Sequence, residues 1–353
     1  VTDRIDLIRL ARADGVGPVT YRRLLARFGD AAEALAALPH VVRQGGRAPS
    51  ADEIAREADA LAALGGRFLL LDEPDYPEAL AALNDAPPVL AVLGPVERLA
   101  ARSVAIVGAR NASANGIRFA GALATGLGLA GLVVVSGLAR GIDTASHRGA
   151  LATGTIAAIA GGLDRPYPPE NAALQRDIVD AGGVIVAEQK LGTVPTNRHF
   201  PRRNRIIAGL SLGCVVVEAA PQSGSLITAR VARDNGRELF AVPGSPLDPR
   251  SRGSNDLLRQ GATICENAAD VLDNLPGAPA RRHRARAPAS APAAPDPVSV
   301  ADVLLGLLGP SPTSVDELVR SCQFSTAVVT ASLADLELQG RIEALSGGRV
   351  VLR

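Results

Sequence analysis

Three arginines and an asparagine stand directly ahead of an apolar helical run in "RRNRIIAGLS", residues 202–211. Guanidinium groups suit planar, bidentate contact with phosphate. An isolated charge run is ordinarily a solvated face or a set of surface ion pairs. Here Lys190, Arg198 and His199 lie just upstream, and no acidic residue occurs from Lys190 to Arg205. With no local carboxylate to neutralise the cluster, its pattern points to an outside anion.

Other residue types could support hydrolysis. Asp143, Ser146 and His147 have the composition of a nucleophilic triad, but they fall within about one helical turn and leave structural anchoring of a loop as the other reading. Glu188 and Glu218 end apolar runs and could serve glycosyl-bond cleavage of a nucleoside monophosphate, or could cap and pair with arginines. No GxGxxG follows the first strand-like run, no acidic residue ends the second, and no GxxxxGK[ST] occurs, which excludes the dinucleotide and P-loop fingerprints. No CxxC spacing links Cys214, Cys265 and Cys322. No cofactor or metal is expected.

The elements that must position these residues come from the texture of the chain. From Ser103 onward, "VAIVG", "LVVVSG", "TIAAIAGG", "VIVAE", "CVVVEA" and "ELFAVPG" alternate with helix-length segments. Each run is nearly all apolar, as a strand buried on both faces must be, so residues 103–275 read as an α/β domain with a doubly wound parallel sheet. In such a sheet ligands lie outside the carboxyl ends of the strands. The loops there are Gly108-Ala109-Arg110, "SGLARGIDTASH" from Ser136 to His147, a third loop through Gly161 and Gly162, and "SGS" at 223–225. Small residues let phosphate oxygens approach the backbone, and helices starting near Asp143, Arg203 and Ser225 favour negative charge. Arg110, Arg140, Lys190, Arg198, Arg202, Arg203 and Arg205 are then expected to share one strip. A strip of this length suits a line of phosphates better than one head group. Tyr167 and Phe200 lie in the same loops, as base-stacking platforms or as plugs of local apolar gaps.

Around this domain, residues 1–72 read as helical, with "GVGPVTYRRLL" joining two helices. That glycine turn is either a phosphate-holding helix-hairpin-helix corner or an ordinary one. Residues 73–102 read as a proline-punctuated connector, and 276–298 as a flexible tether with a basic patch at Arg281–Arg286. Residues 299–353 carry a capping box at Ser314 and Glu317, a helix from 325 to 339 stopped at Gly340 and a hairpin at Gly347-Gly348, the pattern of a winged helix. The helix over 325–339 has no basic residue, and the domain carries Asp302, Asp316, Glu317, Asp335, Glu337 and Glu343 against four arginines. Such a domain is expected to meet protein, or to touch DNA weakly through its tether.

The chain has 353 residues, enough for two or three domains, and a net charge of +1 that argues against a histone-like coat but permits one basic groove. Lys190 is its only lysine. The dispersed cysteines, together with the lack of a signal segment or a membrane-length apolar run, fit a reduced, cytoplasmic setting and no membrane partner.

"VGARNASANG", "SGLARGIDTASHRGAL", "YPPEN", "FPRRNRIIAGLS" and "VVVEAAPQSGSLITARVARDNGRELFAVPG" run in order from about 104 to 245. Together they resemble the DprA (Smf) family, the DNA-processing protein A of bacteria. That resemblance implies a Rossmann-like domain with a helical SAM-like N-terminal domain and a C-terminal winged helix. It also implies a non-enzymatic homodimer that binds and protects single-stranded DNA and loads RecA during natural transformation, with a use in repair equally open. Carried onto this chain, a phosphate loop falls on Gly108, Ala109 and Arg110, and a basic pocket on Lys190, Phe200, Arg202, Arg203, Asn204 and Arg205. The opposite loop falls on Gly224, Ser225 and Thr228, and a loop-shaping motif on Ser136, Gly137, Gly141, Asp143 and His147. Pro169 stands where many relatives have a lysine, which leaves one expected phosphate contact either absent or shifted to Arg165.

Overall fold

The computed structural model describes residues 2–42, 46–276, 300–309, 311–322 and 324–352. The expected tether and its arginines, apart from Pro276, lie outside the described residues. Two compact units result, one on each side of that stretch.

The first unit opens with four helices, α1 (Thr2–Ala11), α2 (Pro18–Phe28), α3 (Ala31–Val41) and α4 (Ala51–Ala63), three of which close on Leu10, Tyr21, Leu24 and Leu38. Then follow β1 (Gly66–Leu70), α5 (Glu78–Ala81), β2 (Val89–Leu93), β3 (Ser103–Val107), α6 (Ala114–Leu129), β4 (Val133–Ser136), α7 (Ile142–Ala150), β5 (Thr155–Ile159), α8 (Ala172–Asp180) and β6 (Val184–Ala187). Next come α9 (His199–Leu210), β7 (Gly213–Val216), α10 (Gly224–Asp234), β8 (Glu238–Ala241), α11 (Arg252–Arg259), β9 (Thr263–Ile264) and α12 (Ala268–Asn274).

Among the described residues nine strands form one sheet, in the order β1-β2-β6-β5-β4-β3-β7-β8-β9. The strands from β6 to β9 are parallel, and β3 to β7 are apolar because helices cover both faces. Alternate residues of β3 show it: Val104 and Ile106 pack under α6 and α7, while Ala105 and Val107 pack with Ile206 and Ile207 of α9.

Two differences from the sequence reading matter. Residues 66–93 are more than a helical tail and a connector, since β1 and β2 form an antiparallel hairpin whose β2 pairs with β6 from Ala91↔Ala187 to Leu93↔Ile185. The other concerns α9, which starts at His199, one turn before the expected Arg203, so the arginines of "RRNR" lie inside the helix and follow its 3.6-residue period.

The second unit contains α13 (Val300–Leu307), β10 (Thr313–Ser314), α14 (Val315–Ser321), α15 (Thr326–Leu338), β11 (Ile342–Leu345) and β12 (Arg349–Leu352). Its strands pair in the order β10-β12-β11, around a core that includes Leu304, Leu318, Val329, Leu333 and Leu336. Ser314 caps α14 by accepting the Glu317 N–H at 3.2 Å.

Candidate nucleic-acid interface

The chain leaves β3 toward β4, β5 and β6, then returns along α9 to β7 on the other side of β3. Loops after β3 and β7 therefore diverge, and a crevice opens between them. A groove of about 750 Å³ lies there. One bank is Gly108, Ala109 and Arg110, and the other is Ser223, Gly224, Ser225 and Thr228 at the start of α10. A Cβ on Gly108 would stand 2.6 Å from Ile142 Cγ1, so the loop has no room for a side chain there. Ser223 caps α10, accepting the Ser225 N–H at 3.4 Å and sharing a 2.6 Å hydroxyl contact with Ser225. Asn204 Nδ2 donates to Gly224 O at 3.2 Å and ties α9 to this bank.

A smaller cavity of about 90 Å³ adjoins the groove and shares Arg110, Phe200 and Arg203 with it. The rings of Tyr167 and Phe200 lie 5.7 Å apart at a tilt of 55°. The Arg110 guanidinium sits over Phe200, 4.8 Å from the ring centroid. Arg110 is exposed and makes no ion pair with a described residue. Arg165 lines this cavity too, beside Asp164 at 3.5 Å. Arg140 also lines it, but pairs with Glu170 at the surface.

Beneath both cavities lies a buried polar network. Arg203 is 5% exposed and donates from Nη1 to Ala158 O at 3.1 Å, while its Nε has no partner. Burial lowers its pKa to about 10, with Asp143 opposing the shift and Arg110 adding to it, so it stays charged at neutral pH. Asp143 accepts the N–H groups of Gly137 (3.1 Å) and Ala139 (3.3 Å), and burial raises its pKa against the pull of Arg203 and those bonds. Gly137 lies between the two charges: a Cβ there would stand 1.4 Å from Arg203 Nη1 and 2.7 Å from Asp143 Oδ2.

The same loop is fastened from other sides. Ser136 Oγ donates to Ile106 O at 2.7 Å. Thr155 Oγ1 donates to Val134 O, so His147 Nδ1 donates to Thr155 and Nε2 accepts the Leu138 N–H at 3.3 Å. This is a neutral imidazole, and burial, then the charge of Arg203, push its pKa down to about 3. Gly141 has φ +73°, and a Cβ on it would meet Ala109 O at 2.3 Å. Leu138 also has positive φ, 55°, and its side chain is fully buried.

The expected single strip of cations is divided. Phe200, Arg203, Asn204 and Ile207 face the groove at helical spacing. Arg198 and Arg202 instead face a separate cleft on the other side of α9, together with Lys190. Arg205 is turned inward: its side chain is 7% exposed, bonded to Glu188 and to the Asp85 carbonyl oxygen. It is placed to hold α9 against β6, not to reach a ligand in the groove.

The alternative chemistries meet specific geometry. Ser146 Oγ donates to Ile142 O and makes no hydrogen bond with the side chain of Asp143 or His147. Both oxygens of Glu218 accept from Ser113, the N-cap of α6, at 2.5 and 2.9 Å, and Glu218 lines neither cavity. Among the described residues no group of three or more His, Cys, Asp or Glu could hold a metal, and no helix is long and apolar enough to cross a membrane.

Two residues escaped the sequence reading. Asn171 Nδ2 donates to Leu138 O (2.9 Å), Ala139 O (3.3 Å) and Thr144 Oγ1 (2.9 Å), clamping the β4–α7 loop; its place in "YPPEN" was the available signal. Arg250 lines the groove from a 3₁₀ turn well beyond β8, paired with Asp248, and no local pattern marks it.

Residues 67–276 match the family described as DNA recombination-mediator protein A, residues 1–60 a DprA-like N-terminal HHH domain, and residues 288–348 a DprA winged helix domain. The chain is 39% identical to protein Smf of Escherichia coli over 287 residues, covering 80% of this chain and 76% of that protein. It resembles the solved structure of DNA processing protein A from Streptococcus pneumoniae, with TM-score 0.59 and 38% identity over 64% of this chain and 78% of that one. A structure of the Helicobacter pylori protein, concerned with its single-stranded DNA binding mode, matches with TM-score 0.53 and 30% identity over 58% of this chain and 93% of that one.

Proposed function

This chain belongs to the DNA recombination-mediator protein A family, and on that premise we propose that it binds and protects single-stranded DNA and loads RecA onto it. The settings are cytoplasmic: natural transformation and recombinational repair. The observation that carries the DNA reading is Arg110, an exposed arginine with no ion pair to a described residue, laid over Phe200 where the groove meets the smaller cavity. A charge and an aromatic face together grip a phosphate and a base without regard to sequence.

In this reading phosphates run along the crevice between the Gly108-Ala109-Arg110 bank and the first turn of α10. The backbone approaches closely because the banks carry small residues, and the buried charge of Arg203 adds a positive field from below. Tyr167 and Phe200 offer ring faces to a base. The single-stranded DNA mode of the Helicobacter pylori relative supports this assignment. Two copies as a homodimer set two grooves along one strand. The action is mediation and not catalysis. The acidic winged-helix unit, whose α15 has no basic residue, contacts protein and adds little to duplex affinity.

Fluorescence anisotropy with labelled single-stranded and duplex oligonucleotides of equal length, titrated at several salt concentrations, tests the DNA part. Binding that prefers the single strand and weakens steeply with salt is expected. No binding at low salt would overturn it and direct attention to nucleoside-monophosphate hydrolysis in the same crevice. RecA loading is tested by RecA filament formation on strands covered with single-strand-binding protein, which the chain is expected to accelerate.

A further inference from the structure

On the side of α9 away from the groove, a cleft of about 610 Å³ lies between the α1–α2 turn and the sheet. One wall is Ala11 to Pro18, in which Arg12 is already tied to Glu57 and the Glu188 carbonyl; the other carries Lys190, Arg198, His199 and Arg202. The side chains of Lys190, Arg198 and Arg202 are exposed and make no hydrogen bond or ion pair with any described residue. The carboxylates lining the cleft are Asp14, which is exposed, and Glu188, whose Oε1 holds Arg205 while its buried Oε2 has no partner among the described residues.

Helix α2 starts in this cleft without a cap. Its N-cap, Gly17, has no side chain, and Pro18 has no N–H, so the N–H groups of Val19 and Thr20 carry the positive end of the helix unanswered. A largely buried imidazole lining the cleft adds a second, independent sign of a ligand. His199 is 7% exposed, and its Nδ1 accepts the Thr196 N–H at 3.3 Å. The ring proton therefore sits on Nε2, which makes no hydrogen bond with a described residue. Three unpaired cations, an uncapped helix start and an imidazole N–H all meet one cavity, and an anion satisfies them together.

We propose that this cleft binds phosphates of the single strand where it leaves the groove and passes around α9. The proposal rests on the single-strand reading above. The geometry favours a strand over one free anion for two reasons. Cations spread over a loop and two turns of helix suit successive phosphates. Groove and cleft are also divided only by α9, with Asn197, Phe200 and Pro201 on one side and Arg198, His199 and Arg202 on the other, a partition of about 10 Å.

Gly17→Asp is the discriminating variant. Gly17 has φ −92° and ψ 175°, and nothing lies within 4 Å of where its Cβ would stand, so aspartate fits there as an N-cap. It leaves the fold as stable or more stable while placing a carboxylate where the phosphate would sit. An Arg198→Ala/Arg202→Ala double variant removes charge from the opposite wall. The measurement is the affinity of the full chain for oligothymidylates of about 5 to about 30 nucleotides. Wild type should gain affinity with length. Both variants should keep wild-type affinity for the shortest strand and lose about tenfold for the longest, their salt slope falling by about 0.7 per phosphate contact removed. Variants indistinguishable from wild type at every length, with Arg110→Ala still weakened, would overturn the cleft proposal and leave the groove standing. If inorganic phosphate binds wild type and not Gly17→Asp while the length dependence stays unchanged, the strand is excluded in favour of a free anion. A wild type that binds no strand of any length removes the groove reading and this one with it.

Discussion

Arg110 and Phe200 are brought face to face from the loop after β3 and the first turn of α9, with the guanidinium 4.8 Å from the ring centroid. The contact sets the arginine at the junction of the two cavities without neutralising its charge. Arg110→Ala is expected to lower single-strand affinity about tenfold and to flatten the salt slope by about 0.7. Phe200→Leu keeps apolar bulk but removes the ring, so affinity should fall with the slope unchanged. Anisotropy titrations at several salt concentrations separate the two, and equal slopes for both variants would count against Arg110 as a phosphate contact.

Gly137 separates Asp143 from Arg203, and a methyl group there overlaps the guanidinium. Gly137→Ala should displace Arg203 from Ala158 O, at a cost of about 1–3 kcal/mol in unfolding free energy, and weaken DNA binding as the floor shifts. Chemical denaturation alongside binding checks both effects. Full stability with normal binding would show that Arg203 has another seat available.

Arg205 is bound into the fold, so its loss should register as instability. Arg205→Ala strips Glu188 of its ion-pair partner and is expected to cost about 3 kcal/mol. Its salt slope for DNA binding should match wild type, whereas a flattened slope would mean that Arg205 reaches phosphate after all.

His147 gives the native state a defined acid sensitivity. With a native pKa near 3 against an ordinary value near 6.5, the unfolded chain takes up a proton below about pH 6.5 while the native chain does not. The group's contribution is therefore intact above pH 6.5 and is lost as pH falls toward 3, at up to about 1.4 kcal/mol per pH unit. His147→Asn should remove that increment from the pH dependence of unfolding. An identical slope in wild type and variant would show that His147 already binds a proton in the native state.

The parallel strands β3 to β8 were legible because strands roofed on both faces read as unbroken apolar runs. The β1–β2 hairpin was not: "RFLLL" is short, and "VLAVL" follows two prolines in a stretch with the texture of a linker. Side-chain types at the crevice were legible, and their directions were not. Once α9 begins at His199, its period sends Phe200, Arg203 and Asn204 to the groove and Arg202 to the opposite side with Arg198, while Arg205 turns inward. Charge in a sequence carries no side, so the ion pair that claims Arg205 emerges only when β6 brings Glu188 beside it.

The β1–β2 hairpin also decides where this chain tolerates cutting. A truncation beginning at residue 103 would follow the change in sequence texture, yet it would strip β2 from β6 and leave Val184–Ala187, an entirely apolar strand, as a raw edge. Such an edge recruits other chains, and the fragment should aggregate. A truncation beginning near residue 65 would keep that margin of the sheet but strip away Ile8, Ile54 and Leu61, which share a buried core with Phe68, Leu70 and Ala91, so the helices before β1 belong with the sheet.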